Sequence, residues 1–109
     1  MNLKLPPPID LYVRQENFGD GEDLAAGFAP GAVVKDEGRT YVGLRAIARW
    51  RADAKRKYRH SVAPLELARA GGKTVLKAML FGKFPGSPVV LEFAFVLRNR
   101  QIVSLEIGS

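Results

Sequence analysis

The stretch Ala32-Val33-Val34-Lys35-Asp36-Glu37-Gly38-Arg39-Thr40-Tyr41-Val42-Gly43 places two adjacent carboxylates at the end of an apolar β run. Alternation along a strand sends Ala32, Val34 and Asp36 to one face and Val33 and Lys35 to the other. If Ala32 and Val34 face the core, so does Asp36. Burial disfavours the charged form of a carboxyl and raises its pKa toward values useful to a general base. The competing reading is structural, a strand-end carboxylate that bonds the Glu37-Gly38-Arg39 turn or pairs with Arg39. Glu37 itself reads as a solvated turn residue.

Two further groups suit proton transfer. Tyr12 lies with Ile9, Val13 and Glu16 on one helical face, where a core tyrosine with a satisfied hydroxyl is the default. His60 is the single histidine, and its side chain titrates naturally near neutral pH; alternation groups it with Tyr58 and Val62. Phe28, Tyr41, Trp50, Phe84 and Phe93 are candidates to line an apolar ligand pocket, with plain core as the alternative. Phe84 stands apart, because it sits in the Pro/Gly-rich loop Gly82–Pro88 and should cover a cavity mouth or a subunit contact. Six cations fall between Arg49 and Arg59 against Asp53 alone, which reads as a solvated helix face, with an anion-binding patch as second choice.

These residues need elements to position them. Three consecutive prolines precede a helix over Ile9–Asn17, where proline suits the first turn. Asp20-Gly21-Glu22-Asp23 signals a second, shorter helix with Leu24 and Phe28 on its buried face, ended by Pro30-Gly31. Ala32–Asp36 and Arg39–Val42 form a hairpin about Glu37-Gly38. A third helix follows Gly43, with Leu44, Ile47, Trp50 or Arg51, and Ala54 in helical period. Tyr58–Leu67, Lys73–Phe81, Val89–Leu97 and Ile102–Ile107 then read as strands, the last three an antiparallel meander.

With 109 residues, 47% hydrophobic and 26% charged, the chain matches one ordinary globular domain, 1–109. Without cysteine it has neither disulfides nor thiolate metal sites, and one histidine excludes a multi-histidine site within the chain. The opening Met1–Asp10 has too short an apolar run for a signal peptide, and Val89–Leu97 is far short of a membrane span. A soluble, cytoplasmic protein is expected. The net charge of +6 raises the question of nucleic acid, but basics are not interleaved with aromatics, so a nucleic-acid partner is not expected.

The block Tyr12–Asp20, the block Phe28–Asp36, the helix entry Gly43-Leu44-Arg45-Ala46-Ile47 and the closing Gln101-Ile102-Val103-Ser104-Leu105 resemble, in order and spacing, the nuclear transport factor 2-like superfamily. That superfamily includes ketosteroid isomerases and SnoaL-like polyketide cyclases. The resemblance implies an α+β cone: a curved, mainly antiparallel sheet wrapped around three N-terminal helices, with an interior pocket. It implies a general base at Asp36, an oxyanion-binding hydroxyl at Tyr12, an apolar small-molecule ligand, and a homodimer whose outer sheet face is supplied by the strand Val89–Leu97 and the last strand; no phosphate-cradling loop or metal-ligand cluster is found, and no cofactor is expected. A third polar group of the isomerase site falls at Leu91, or at Glu92 if shifted by one residue. The sequence leaves open a non-catalytic ligand-binding or dimerisation module.

Overall fold

The computed structural model describes residues 3–18 and 25–108. Eight elements follow one another among the described residues: α1 (Pro7–Phe18), β1 (Phe28–Asp36), β2 (Arg39–Val42), α2 (Leu44–Tyr58), β3 (Ser61–Ala70), β4 (Lys73–Phe81), β5 (Val89–Arg98) and β6 (Gln101–Gly108). The strands make one curved, unclosed sheet in the order β2-β1-β6-β5-β4-β3. Every pairing is antiparallel except β1 with β6. Two helices therefore stand against the sheet among the described residues, and the fold is α+β.

Helix α1 starts inside the proline run, as proline geometry favours, and buries Ile9, Tyr12, Val13, Gln15 and Glu16. The four signal residues expected to open a second helix, Asp20–Asp23, lie outside the described residues. Phe28 does not belong to a helix. Ala25–Gly27 is a turn, and Phe28 opens β1, four residues before the strand start read from Ala32. The reason is the parallel partner: Ile102 N–H bonds Gly27 O at 2.8 Å, Phe28 aligns with Ile102, and the register then shifts before Val33. An irregular stretch of this kind accommodates Pro30, which has no N–H to give the ladder.

The hairpin forms as expected, with Asp36 opposite Arg39. Glu37 and Gly38 both take positive φ, 52° and 75°, as a two-residue type I′ turn requires. In α2, Ile47, Trp50 and Arg51 are buried. Tyr58 ends this helix instead of starting a strand, because Arg59 adopts the left-handed conformation and its N–H closes on Lys55 O at 2.8 Å. Lys55, Arg56 and Lys57 occupy the last turn, where cations complement the helix dipole.

Strands β4 and β5 alternate as their sequences suggest. Thr74, Leu76 and Ala78 from β4 and Phe93 and Phe95 from β5 face the helices, joined by Ile102 and Leu105 of β6. The loop after β4 is tied to the end of α2: Lys83 N–H bonds Tyr58 O at 2.7 Å, and the Phe84 ring meets Tyr58 edge-on at 5.8 Å. Gly82 allows this approach, since a Cβ there would sit 2.8 Å from Tyr58 O. The Phe84 loop is thereby held over one end of the sheet.

Candidate functional site

Ala32 and Val34 are buried at 1% and 0% exposure, so the strand alternation turns Asp36 toward the helices as well. The carboxylate is half-buried at the strand's end. Trp50, one helical residue away from the buried Arg51, donates its indole N–H to Asp36 Oδ2 at 3.1 Å. Tyr41 from β2 stacks on the Trp50 ring, with centroids 5.7 Å apart. Arg39 faces Asp36 across the hairpin but forms no ion pair with it among the described residues. Desolvation is the largest influence on the Asp36 carboxyl and raises its pKa; the Trp50 bond opposes this, while the charges of Glu37 and Glu16 add to it.

Asp36 borders three hollows. The innermost, of about 80 Å³, lies between the helix side chains Tyr12, Glu16 and Arg51, with His60 from the link between α2 and β3, and the sheet side chains Leu80, Leu91, Phe93 and Ile107. A wider hollow of about 540 Å³ shares Asp36, Tyr58, Leu80, Leu91 and Ile107 with it and is roofed by Phe84 and Pro85. The third, about 500 Å³, runs along the outer side of α2 past Tyr41, Arg49 and Lys57. Leu91 thus lies on the inner face and Glu92 is exposed, so the position of the third isomerase polar group is apolar.

Beneath Asp36 is a charged cluster that neither helix announces by itself. Glu16 Oε1 meets His60 Nε2 at 2.8 Å, and Glu16 Oε2 takes Arg51 Nη2 at 3.0 Å and Nε at 3.3 Å. Arg51 also donates to Gln15 Oε1 and to Tyr12 O, both at 3.1 Å, while its guanidinium lies 4.3 Å from the centre of the Tyr12 ring. The Tyr12 hydroxyl reaches Glu16 Oε1 only at 3.5 Å. Lys55 Nζ bonds the backbone oxygens of Glu16 and His60, and Asn17 clasps Val62 through both its amide atoms. These bonds fix the end of α1, the end of α2 and the start of β3 to one another.

Burial pushes the Glu16 carboxyl up, but the bond from His60 and the charge of Arg51 outweigh it and hold its pKa below the ordinary value. Glu16 is therefore an anion. Tyr12 moves the other way: burial and the Glu16 charge keep its hydroxyl protonated well above the usual range. A phenol so placed donates a hydrogen bond and does not act as a base.

The candidate residues separate into groups. Tyr12, Asp36, Trp50, His60 and Phe93 share the innermost hollow. Phe84 lines the wider hollow at its rim, and Tyr41 lines the outer groove. Phe28 packs edge-on against Tyr12 at 6.2 Å and belongs to the core cluster. Two residues of the site, Glu16 and Arg51, escape the sequence reading. Arg51 is 2% exposed and not part of a solvated basic face, although Arg49, Arg56, Lys57 and Arg59 are exposed. Its place beside Trp50 in the helical period, and that of Glu16 on the Tyr12 stripe, were the available signals. No group of three metal-ligating side chains occurs among the described residues, and no described helix is long and apolar enough to cross a membrane.

The fold is shared with several proteins of known structure. A provisionally assigned polyketide cyclase from Sinorhizobium meliloti is 38% identical, with a TM-score of 0.89 over 95% of both chains. A protein with a ketosteroid isomerase-like fold from Catenulispora acidiphila, solved in complex with trimethylamine, is 20% identical with a TM-score of 0.80 over 97% of this chain and 87% of that one. A provisionally assigned SnoaL-like isomerase from Agrobacterium tumefaciens is 16% identical, with a TM-score of 0.76 over 93% of this chain and 92% of its own. No family model matches the chain, and no curated protein does. On the fold and the extended identity to the Sinorhizobium protein, the chain belongs to the nuclear transport factor 2-like superfamily.

Proposed function

We propose that the chain is a SnoaL-like, ketosteroid isomerase-like small-molecule protein that moves a proton next to the carbonyl of an apolar ligand, with Asp36 as general base. The observation that carries this is the position of one half-buried carboxylate at the border of an apolar hollow, with its pKa raised by desolvation. A base of raised pKa at the edge of a largely apolar hollow retains enough basicity to take a carbon-bound proton near neutrality. The ligand body would lie under Phe84 and against Leu91 and Ile107, with its carbonyl end toward Tyr12 and His60.

The Tyr12 hydroxyl, kept protonated, would donate to the oxygen as negative charge develops there. Leu91 offers no second donor, which suits a substrate needing less oxyanion stabilisation than an isolated ketone. The likeness to a polyketide cyclase supports enolisable, polyoxygenated carbonyl compounds as the substrate class. The test is exchange of α-protons of 2-tetralone in deuterium oxide: the protein should accelerate exchange over buffer. Exchange at the buffer rate for 2-tetralone and for 1,3-diketones alike would leave a non-catalytic binding module as the better reading.

We also propose that the functional unit is a homodimer. The outer sheet face exposes Phe81 and Val90, at 40% and 41%, beside the Met79 register position. Two such faces would cover one another's apolar side chains. Sedimentation of the wild-type chain should give twice the chain mass, and a Phe81→Lys/Val90→Lys variant should sediment as the monomer; a monomeric wild type at 100 µM or so would remove this proposal.

A further inference from the structure

The innermost hollow, about 80 Å³, is too small for a ligand body, since small-molecule sites run from about 300 Å³ upward. The body of a ligand belongs in a wider hollow and reaches Asp36 from there. Three side chains border all three hollows: Asp36, Glu37 and Tyr58. Two of them are carboxyls, which only accept hydrogen bonds when ionised, whereas the phenol of Tyr58 can donate one. Tyr12 lines neither wider hollow.

The Tyr58 hydroxyl is uncommitted. It has no hydrogen-bond partner within the protein, and it is not sealed from solvent: among the described residues the one buried side-chain polar atom without a partner is His60 Nδ1. The rest of the residue is held in place. Its ring meets Phe84 edge-on at 5.8 Å, Lys57 Nζ stands 5.0 Å from the ring centre, and its carbonyl oxygen accepts the Lys83 N–H at 2.7 Å. A donor on a fixed ring, aligned before the ligand arrives, costs no reorganisation at the moment of reaction.

We infer that Tyr58 is a further catalytic residue, whose hydroxyl donates a hydrogen bond to the ligand's carbonyl oxygen at the mouth of the innermost hollow, beside the carbon that Asp36 deprotonates. This rests on the reading of Asp36 as the base, and it supplies from α2 a donor where β5 offers only Leu91. As the C–H bond breaks, its proton goes to Asp36 and its electron pair becomes the C=C bond. The carbonyl π pair moves onto oxygen, where the Tyr58 O–H meets the new charge and keeps its proton. Return of the proton from Asp36 to carbon reverses the step.

The test is Tyr58→Phe, which removes one oxygen and keeps the ring against Phe84 and the backbone bond from Lys83; its thermal midpoint should stay near that of the wild type. With 2-tetralone in deuterium oxide, kcat for proton exchange should fall about 10- to 100-fold, the scale of one hydrogen bond to a charged oxygen. KM should stay within about threefold, because the bond strengthens only as charge develops. The main influences on the Asp36 carboxyl are burial, Trp50, Glu37 and Glu16, so the midpoint of the pH–rate profile should not move. By fluorescence titration the variant should bind 2-naphthol, a planar analogue of the enol, more weakly, and naphthalene as the wild type does. Should the variant fail to fold, the wild type decides: it should bind 2-naphthol about 10-fold more tightly than naphthalene, and equal affinity overturns the inference. Exchange at the wild-type rate in Tyr58→Phe, or a loss matched by weaker naphthalene binding or by a moved pH midpoint, also overturns it and leaves Asp36 standing as the base. A wild-type protein that exchanges 2-tetralone no faster than buffer removes the inference together with the base.

Discussion

Asp36→Asn should lower the protein-catalysed exchange of 2-tetralone α-protons by about 10²- to 10⁴-fold, the usual contribution of a positioned general base. The amide has nearly the same shape, and its oxygen can still accept the Trp50 indole N–H that now bonds Oδ2 at 3.1 Å. What it lacks is the capacity to take a proton. The same substitution should not weaken the fold. The folded-state pKa of Asp36 is raised above 3.8, so protonation of this group favours folding below that value and the benefit is lost as pH rises through the higher folded value. At neutral pH the ionised carboxylate thus opposes folding, and replacing it with a neutral amide should leave the thermal midpoint unchanged or raise it. Activity lost while stability holds is the signature of a group placed for chemistry. A variant that is both inactive and unfolded would instead make Asp36 a structural cap of the hairpin.

The second large effect belongs to Arg51. With its side chain removed, as in Arg51→Met, Glu16 keeps only the His60 bond and a distant tyrosine hydroxyl, in a site where its side chain is 9% exposed. Breaking a buried ion pair from one side costs about 3–5 kcal/mol, because the remaining charge is stranded. The sign of the pH dependence follows from the same cluster. In the wild type the Glu16 pKa is below its ordinary value of 4.5, so its contribution to stability is present above that value and lost as pH falls through the lower folded one. In Arg51→Met the lowering influence of the guanidinium is gone and desolvation remains, so the carboxyl's pKa rises and the penalty is greatest at neutral pH. Urea unfolding at pH 7 and pH 4 should show the deficit shrinking in acid, and the double variant Glu16→Gln/Arg51→Met should recover much of it at pH 7. A deficit of the same size at both pH values would mean that Arg51 stabilises by packing on the Tyr12 ring, from whose centre its guanidinium lies 4.3 Å, and not by charge.

The parts of the fold that depend on local pattern were open to reading. β4 runs over Lys73–Phe81 as its flanking turns indicated, the Glu37-Gly38 turn requires the positive φ values that glycine tolerates, and the 2-residue period brought Asp36 to the inner face. Where a distant partner decides, the pattern fails. Phe28 looks helical by spacing from Leu24, yet the parallel ladder to Ile102 draws it into β1. Tyr58 looks like strand by composition, yet Arg59 turns left-handed only after α2 has run through it. The site divides along the same line. Asp36 and Tyr12 announce themselves by face. The Glu16 cluster joins residues 35 and 44 positions apart, and no periodicity within α1 or α2 says that a carboxylate on one will meet a guanidinium on the other.

The protonation of Asp36 is the quantity on which the functional reading turns. The measurement is a ¹³C titration of the Asp36 carboxyl carbon, assigned by its loss in Asp36→Asn, in the free protein and with 2-naphthol bound. The account predicts a midpoint above the ordinary aspartate value of 3.8 in the free protein, and a further rise when the ligand displaces water from the hollow. A midpoint at or below that value, unchanged by ligand, would place the carboxylate in solvent and contradict its role as the base.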